Sequence, residues 1–329
     1  RTMFRLFGAG FIVAISFSHF LNDLMQALLP AIYPMLKDDF GLSFTQVGLL
    51  TLTFQFTASL LQPVVGIAAD RRPLPYSMAA GMGSTLCGLV LLASAHSFWL
   101  LVLAAALVGL GSAIFHPEAS RVARMAAGSR PGFAQSVFQV GGNFGSALGP
   151  LLAAFIVLPF GQGSIAWFSV VAVLAMVVLY KVGNWYRGHL VRLLNRGTVQ
   201  YIGAGRARLV ASILILVVLT FSKAVYGASL GSYYTFFLIE RFEVSIRDSQ
   251  LLLFVYMAAV ALGTFIGGPL GDRFGRKLVL WGSVLGALPF TLLLPWVNLG
   301  WTIVLTAVIG VIMASAFPAI IIYAQDLVP

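Results

Sequence analysis

The chain has 329 residues, of which 60% are hydrophobic and only 9% are charged. Soluble globular domains average about 25% charged residues, so this composition excludes a soluble protein and indicates one that lies in a lipid bilayer. The 20 Lys and Arg residues outnumber the 10 Asp and Glu residues and give a net charge of +10, while the single cysteine excludes an internal disulfide bond.

Apolar runs of about 20 residues recur along the whole chain, and a helix of that length crosses the roughly 30 Å of hydrocarbon in a bilayer. The sequence therefore predicts an all-α membrane protein with ten spans. They are expected at residues 9–35, 45–68, 76–95, 98–120, 132–158, 163–183, 209–237, 248–270, 277–296 and 301–325.

The longest connection, residues 183–208, is rich in arginine and has no acidic residue. We interpret it as a basic cytoplasmic linker, with a helix lying on the membrane surface as the alternative. It separates a six-helix bundle at residues 1–182 from a second bundle at residues 209–329, in which four helices are expected.

Basic residues concentrate at one set of alternate helix ends, whereas the opposite ends carry only Lys37, Arg241 and Arg247 beside acidic residues. Lys and Arg in short loops stay on the cytoplasmic side of a membrane. We therefore expect a cytoplasmic amino terminus. The positive charge is interpreted as a topology signal, with the bilayer and not nucleic acid as the partner.

The first span contains four polar residues at helical spacing: His19, Asn22, Asp23 and Gln26. Their spacing places all four on one helical face. An ionisable group is costly in hydrocarbon and usually marks a functional site. We expect a proton-binding site at Asp23, with His19 and Asn22 tuning its pKa or touching substrate; the alternative is a polar cluster that only fixes helix packing.

Spans 2 and 4 add further polar candidates. Gln55 in span 2 is a weaker candidate for substrate contact, and span 4 contains His116-Pro117-Glu118. Glu118 and His116 are candidates for proton coupling. Because Arg121 lies three residues after Glu118, an ion pair near the cytoplasmic end of the span is the alternative.

Span 5 separates two kinds of residue by helical face. Gln139 and Asn143 lie four residues apart, and Gly141, Gly145 and Gly149 repeat at the same interval about 200° around the helix. Glycines at this spacing allow close backbone contact between helices. We expect the glycines to face a neighbouring helix and the two amides to face a cavity.

Span 7 contains Lys223, a basic residue placed deep inside a predicted span. Its depth favours a position facing a cavity over one in lipid. We expect it to be a counter-charge for an anionic substrate, or to pair with Asp23 or Glu118. Three tyrosines that follow it, Tyr226, Tyr233 and Tyr234, are candidate substrate contacts.

Two loops share a pattern of glycine, aspartate and arginine. The loop after span 2 contains Gly66, Asp70 and Arg71, and the loop after span 8 contains Gly268, Asp272, Arg273, Gly275 and Arg276. The offset from Asp70 to Asp272 also carries Phe115 onto Phe317. This agreement indicates duplication of a six-helix unit, and such ion clusters are expected to act as gating loops.

These loops resemble the signature loop of the major facilitator superfamily. Within that superfamily, the segments at residues 19–23, 114–118, 138–145, 221–223 and 233–236 resemble the bacterial fosmidomycin resistance efflux transporters. The resemblance implies two pseudo-symmetric bundles with twelve helices in the family, of which about ten are expected here, so that the second bundle is truncated.

The same resemblance implies a proton-coupled transporter that exports a small anionic drug by alternating access across the bacterial cytoplasmic (inner) membrane. It implies protons as the coupling ion, no cofactor or metal, and a monomer. Proton symport and uniport of another solute remain open. An intramembrane enzyme is a distant alternative: Gly227-Ala-Ser229-Leu-Gly231 matches a nucleophile motif, but that motif needs a strand before its turn, and this stretch is predicted to be helical.

Overall fold

A computed structural model describes the backbone of residues 2–126, 131–193 and 206–327, and all regular structure in these ranges is helical. Side-chain surroundings are described there except at residues 2–9, 70, 131–133, 135–136, 190–193, 206–209, 268–269, 272, 276, 318 and 321–327. The α-helices are α1 (Thr2–Ala31), α2 (Tyr33–Phe40), α3 (Phe44–Gln55), α4 (Gln62–Arg71), α5 (Ser77–Ser94), α6 (Phe98–Ala126), α7 (Pro131–Leu152), α8 (Leu158–Phe160), α9 (Ser169–Leu193), α10 (Arg206–Phe242), α11 (Ile246–Phe274), α12 (Arg276–Leu285), α13 (Ala287–Leu293) and α14 (Leu299–Leu327).

Ten helical segments of the described ranges are long and apolar enough to cross a membrane, which confirms the predicted number. They are Gly10–Ala31, Phe44–Ala69, Ser77–Ser94, Phe98–Ala126, Val137–Phe160, Gln162–His189, Val210–Phe242, Ile246–Gly267, Lys277–Trp296 and Leu299–Phe317. The first ends earlier than expected, because Pro34 in the first turn of α2 begins a new helix after a break at Ile32.

Short polar segments end one helix and begin the next. Gly41 adopts a left-handed conformation (φ 60°) after α2. Ser43 then caps α3: its Oγ accepts from the backbone N–H of Gln46 at 3.2 Å, and the Gln46 side chain accepts from the Ser43 N–H at 2.8 Å. Residues close in the sequence therefore determine where α2 ends and where α3 begins.

The spans contain two π-helical turns beside prolines. Phe56–Leu60 lies between α3 and α4, just before Pro63, and Ala153–Val157 follows Pro150 in α7. Proline removes a backbone donor and clashes with the preceding turn, so local widening of the helix is a usual response.

One compact unit comprises Arg1–Asn195 and Ser245–Leu251. In it, α1 packs along α7 and also contacts α6 and α9. A methyl group at Gly141 or Gly145 would overlap the carbonyl oxygens of Ser16 or Phe20 on α1. The predicted close approach of the glycine face to a neighbouring helix is confirmed, and that neighbour is α1.

The other compact unit comprises Arg196–Val244 and Leu252–Pro329. Here Gly263 and Gly267 of α11 lie directly against the backbone of Val311 and Ser315 in α14. Leu216 of α10 packs with residues of α14 in a small buried cluster.

Parts of the segment predicted as a linker are helical. The α9 helix continues to Leu193 and α10 begins at Arg206, whereas residues 194–205 lie outside the described ranges. The predicted domain boundaries at 182 and 209 stay predictions.

Candidate functional site

His19, Asp23 and His116 form a polar cluster, here called the His-Asp-His cluster. His19 and Asp23 lie on the same face of α1, with Nε2 of His19 3.3 Å from Oδ2 of Asp23. His116 comes from α6, and its Nε2 lies 3.5 Å from Oδ1 of the same carboxylate. One carboxylate is thus flanked by two imidazoles, each facing a different oxygen.

Backbone carbonyls fix the orientation of both rings. Nδ1 of His19 donates to the carbonyl oxygen of Phe138 at 2.7 Å, and because a carbonyl oxygen can only accept, this Nδ1 must carry a proton. In a neutral His19 ring, Nε2 would then turn a lone pair towards the Asp23 carboxylate. Nδ1 of His116 lies 3.0 Å from the carbonyl oxygen of Ser112 and 3.1 Å from its hydroxyl oxygen, which can donate or accept, so either ring nitrogen of His116 can carry its proton.

This arrangement requires at least one further proton. Two acceptors facing each other within 3.5 Å repel unless a hydrogen lies between them. A proton on Nε2 of His19, or on the carboxyl group of Asp23, resolves the conflict between these two residues, and Nε2 of His116 can donate to the other carboxylate oxygen. The His-Asp-His cluster can therefore bind protons and exchange them between defined atoms.

The cluster is mostly enclosed by protein. The side chain of His19 is 3% exposed, whereas those of Asp23 and His116 are 18% and 25% exposed. The ring of Phe138 stacks on that of His19 with centroids 4.0 Å apart. Asp23 and His116 are thus partly exposed, while His19 is held in packing.

Gly142 of α7 provides the space that the cluster occupies. A Cβ atom at this position would overlap Nε2 of His19 and would lie 2.8 Å from Oδ2 of Asp23. The close packing of α7 on α1 therefore reaches the ionisable atoms themselves.

Asn22 connects the cluster to the rest of the polar face of α1. Its Nδ2 donates to Oδ1 of Asp23 at 2.9 Å, and its side chain is fully buried. The predicted grouping of His19, Asn22 and Asp23 on one face is confirmed, and His116 joins them from another helix.

Glu118 lies in a different environment from His116. Its side chain is 1% exposed, and Oε1 lies 3.5 Å from Nη1 of Arg121, which also donates to the Ala69 carbonyl and the Tyr186 hydroxyl at 3.1 and 3.4 Å. Residues two apart on a helix point in nearly opposite directions. Glu118 is thus placed to form the ion pair with Arg121, and proton binding by Glu118 stays a prediction.

Other candidates in the first unit have few contacts. Gln139 and Asn143 of α7 are partly exposed. Oε1 of Gln55 accepts a long 3.5 Å hydrogen bond from Ser59. Partial exposure is compatible with ligand contact, and substrate binding by these three residues stays a prediction.

In the second unit, Lys223 donates from Nζ to the carbonyl oxygen of Met313 in α14 at 2.8 Å. Two of the tyrosines are also anchored: Tyr226 bonds to Thr291 at 2.7 Å and Tyr234 to Thr306 at 3.0 Å. The ring of Tyr233 lies beside Phe236, with centroids 6.3 Å apart. Since a carbonyl oxygen is neutral, the positive charge of Lys223 remains available to an anion.

The predicted gating residues are only partly described. A Cβ atom added at Gly66 would lie in ordinary contact with Pro117, and Arg71 and Arg273 are exposed. Gly275 has a φ of 88° before α12, a conformation that favours glycine. The surroundings of Asp70, Gly268, Asp272 and Arg276 lie outside the described residues.

The three side chains of the His-Asp-His cluster also carry atom types that metals bind, and these atoms lie within 4.8 Å of one another. Spacing of this kind suits a metal ion as well as shared protons, so any functional test needs a chelator control.

Several contributors were not predicted from the sequence. They are the carbonyl oxygens of Phe138 and Ser112, the small size of Gly142 and the hydroxyl of Tyr186. Only Gly142 leaves a trace in the sequence, as the second residue of a glycine pair. Backbone acceptors depend on how helices pack, and no residue type reports them.

A family model and individual relatives both match this chain over nearly its whole length. The model of the Major Facilitator Superfamily matches residues 15–329. The fosmidomycin resistance protein of Escherichia coli strain K12 is 55% identical over 332 residues, which cover all of this chain and 80% of that protein. The uncharacterised MFS-type transporter YfnC of Bacillus subtilis strain 168 is 40% identical over 322 residues, covering 97% and 79%.

The fold also matches solved structures. A bacterial homologue of the human lysosomal transporter Spinster, in an inward-facing and occupied conformation, gives a TM-score of 0.73 over 95% of this chain and 73% of that chain. The sequence identity is 18%, so this likeness concerns the fold.

Proposed function

The chain belongs to the major facilitator superfamily, and from this premise we propose that it exports a small anionic compound in exchange for protons by alternating access. The relative named for fosmidomycin resistance supports a drug of that kind as substrate, and fosmidomycin is the first compound to test. The protein is a transporter and not an enzyme.

The observation that carries proton coupling is the His-Asp-His cluster. Nδ1 of His19 is committed to the Phe138 carbonyl oxygen, so the contact from its Nε2 atom to Asp23 needs a further proton, and His116 faces the other oxygen of the same carboxylate. Acids inside membrane spans are rare and mark the proton relays of pumps and transporters. Asp23 is the proposed carrier, with His19 and His116 as its proton-exchanging neighbours.

The groups that face Asp23 come from its own helix and from two packed against it. Among the described residues, the titratable neighbours are His19 on α1 and His116 on α6, while α7 contributes Gly142 and the Phe138 carbonyl. The partners of Glu118 are on the other side of α6. Protonation at Asp23 thus changes the charge of a small, nearly isolated group.

An anionic substrate is supported by Lys223. An ammonium group inside a membrane span is costly, and its single described bond goes to a neutral carbonyl oxygen. We propose that Lys223 attracts the anionic group of the substrate, with Tyr226, Tyr233 and Tyr234 as further contacts. Gln55, Gln139 and Asn143 are proposed contacts from the first unit.

Gating is proposed for the loops containing Asp70 and Asp272. Each lies where a span ends, and ion pairs there can form and break as a transporter changes state. Arg121, which links Glu118, Ala69 and Tyr186, supports a contribution of such contacts within the first unit. The basic residues at alternate helix ends support a cytoplasmic amino terminus in the bacterial inner membrane. We propose that the protein acts as a monomer.

The test is transport by purified protein in liposomes with an imposed pH gradient and EDTA present. We expect fosmidomycin to move against the direction of proton flow, and collapse of the gradient by a protonophore to stop net transport. Movement in the same direction as protons would indicate symport, and movement indifferent to the gradient would indicate uniport. Transport that needs added metal instead of a proton gradient would contradict the proposal.

A further inference from the structure

The His-Asp-His cluster presents three donor atoms of the types that bind transition metals. Nε2 of His19 lies 3.3 Å from Oδ2 of Asp23, and Nε2 of His116 lies 3.5 Å from Oδ1. One donor atom from each residue lies within 4.8 Å of the other two. A tetrahedral zinc ion, with bonds of about 2.0–2.1 Å, holds its ligand atoms about 3.3–3.4 Å apart. The three side chains therefore converge at a spacing close to the one that such an ion needs.

The two imidazoles are oriented as histidines are in metal sites. A histidine that binds a metal through one ring nitrogen commonly donates the other N–H to a backbone carbonyl or a carboxylate. Nδ1 of His19 donates to the Phe138 carbonyl at 2.7 Å, which leaves its Nε2 lone pair towards Asp23. Nδ1 of His116 lies 3.0 Å from the Ser112 carbonyl, and with the proton on that nitrogen its Nε2 is free to bind a metal as well. Each ring can thus turn a lone pair towards the same carboxylate.

The carboxylate of Asp23 is also held in place. Asn22 donates from Nδ2 to Oδ1 of Asp23 at 2.9 Å, and hydrogen bonds of this kind orient carboxylate ligands. The side chains of Asp23 and His116 are 18% and 25% exposed, so the protein does not cover these two ligands completely. A water molecule can therefore supply the fourth ligand of a tetrahedral ion on the uncovered side.

We propose that the His-Asp-His cluster binds a zinc ion and that the bound ion blocks proton coupling. Two imidazoles and one carboxylate form a donor set suited to zinc and related transition metals, whereas Mg²⁺ prefers oxygen ligands. The ion takes the lone pairs that otherwise accept protons, and it joins α1 to α6 through metal bonds. The binding rests on the geometry of the cluster alone, and the block of transport rests on the proposed function.

The binding test uses the purified protein in detergent, without a polyhistidine tag and after treatment with EDTA followed by dialysis. We expect titration with Zn²⁺ to show one tight site per chain, and Mg²⁺ at the same concentration to leave that site empty. Asp23→Asn and His116→Asn each remove one ligand. Each should weaken Zn²⁺ binding by about 100-fold or more, since loss of a mere hydrogen bond to a metal ligand already costs about 10–100-fold.

His96→Asn is the matched control for both variants, because His96 is an exposed histidine outside the His-Asp-His cluster. It should bind Zn²⁺ as tightly as the wild-type protein. The unfolding temperature measured in EDTA checks that each variant is folded. Zn²⁺ should raise that temperature for the wild-type protein and for His96→Asn, and should leave it unchanged for Asp23→Asn and His116→Asn at the same concentration.

The transport test uses wild-type protein and His96→Asn in liposomes with an imposed pH gradient and fosmidomycin in excess. A metal buffer sets free Zn²⁺ at ten times the measured dissociation constant, so that roughly one chain in eleven remains free of metal. We expect gradient-driven transport by both proteins to fall by about tenfold. Excess EDTA should restore it, and Mg²⁺ in place of Zn²⁺ should have no effect.

The outcomes separate this inference from the proposed function. Absence of saturable Zn²⁺ binding, or equal binding by the wild-type protein, Asp23→Asn and His116→Asn, would overturn the zinc site and leave proton-coupled export standing. Zinc bound at the cluster without loss of gradient-driven transport would overturn the block. Tight binding that both variants lose, in a protein whose transport is indifferent to the pH gradient, would contradict the proposed function and leave the zinc site standing.

Discussion

The Nε2 atom of His116 lies 3.5 Å from the Oδ1 atom of Asp23, although the two residues belong to different spans. Through this contact, a proton bound at Asp23 can pass to a helix that packs against α1. A change in protonation can therefore alter how α1 and α6 fit together. This link between charge and packing is what a proton-driven transporter needs.

The first prediction concerns Asp23→Asn. Asparagine keeps the size of the side chain and can hydrogen-bond to both imidazoles, but it cannot ionise. We expect transport driven by a pH gradient to fall to the level of empty liposomes, while exchange of labelled for unlabelled substrate without a gradient persists. Gradient-driven transport at the wild-type rate would remove Asp23 from the mechanism.

The second prediction concerns His116→Asn, which keeps a side-chain donor but loses the exchangeable imidazole proton. We expect gradient-driven transport to fall by about 100-fold or more, the lower end of the range for loss of a proton-transfer group. His96→Asn is the matched control, because His96 is an exposed histidine in the connection between α5 and α6 and outside the His-Asp-His cluster. If both variants transport equally, His116 does not take part in coupling.

The positions of the helices could be predicted because hydropathy is a local property. Runs of about 20 apolar residues give the ten spans directly. The break at Ile32 lies inside the first predicted run, and hydropathy does not reveal it, because Pro34 leaves the stretch apolar while it begins a new helix. The helical period of 3.6 residues is enough to predict that His19 and Asp23 lie on one face, and the structure confirms it.

Contacts between helices could be predicted only where particular residue types, such as regularly spaced glycines, indicate close packing. The glycine repeat of α7 indicated a close neighbour but did not identify α1. His116 and Glu118 looked alike as candidates, and only the packing of α6 turns one towards Asp23 and the other towards Arg121. The partner of Lys223 is a backbone carbonyl, which has no signature in the sequence.

The third prediction concerns Gly142→Ala. The added methyl group would overlap the His19 ring and approach the Asp23 carboxylate, so α7 and α1 must separate or the cluster must rearrange. We expect stability to fall by about 1–3 kcal/mol, as for other overpacked cores, and gradient-driven transport to fall with it. Gly227→Ala is the control, because no atom lies within 4 Å of its added Cβ. Equal thermal stability of the two variants in detergent would contradict the packing described here.

The fourth prediction concerns Lys223. Lys223→Ala should weaken binding of phosphonates by about tenfold or more and leave binding of neutral compounds unchanged, because only the former need the positive charge. Lys223→Gln retains a donor that can reach towards the Met313 carbonyl and so separates the charge from the structural bond. We expect both variants to lose phosphonate binding in equilibrium titrations. Recovery in the glutamine variant would indicate that Lys223 acts only in packing.

The fifth prediction distinguishes the two interpretations of Glu118. Its carboxylate is buried and pairs with Arg121, and removing one partner of a buried ion pair typically costs about 3–5 kcal/mol, because the other charge is left uncompensated. Glu118→Gln should therefore lower the unfolding temperature in detergent, and Arg121→Gln in the same chain should restore part of the loss. At a temperature where the single variant stays folded, we expect transport still to depend on the pH gradient. Loss of that dependence in folded Glu118→Gln protein would instead make Glu118 a proton carrier alongside Asp23.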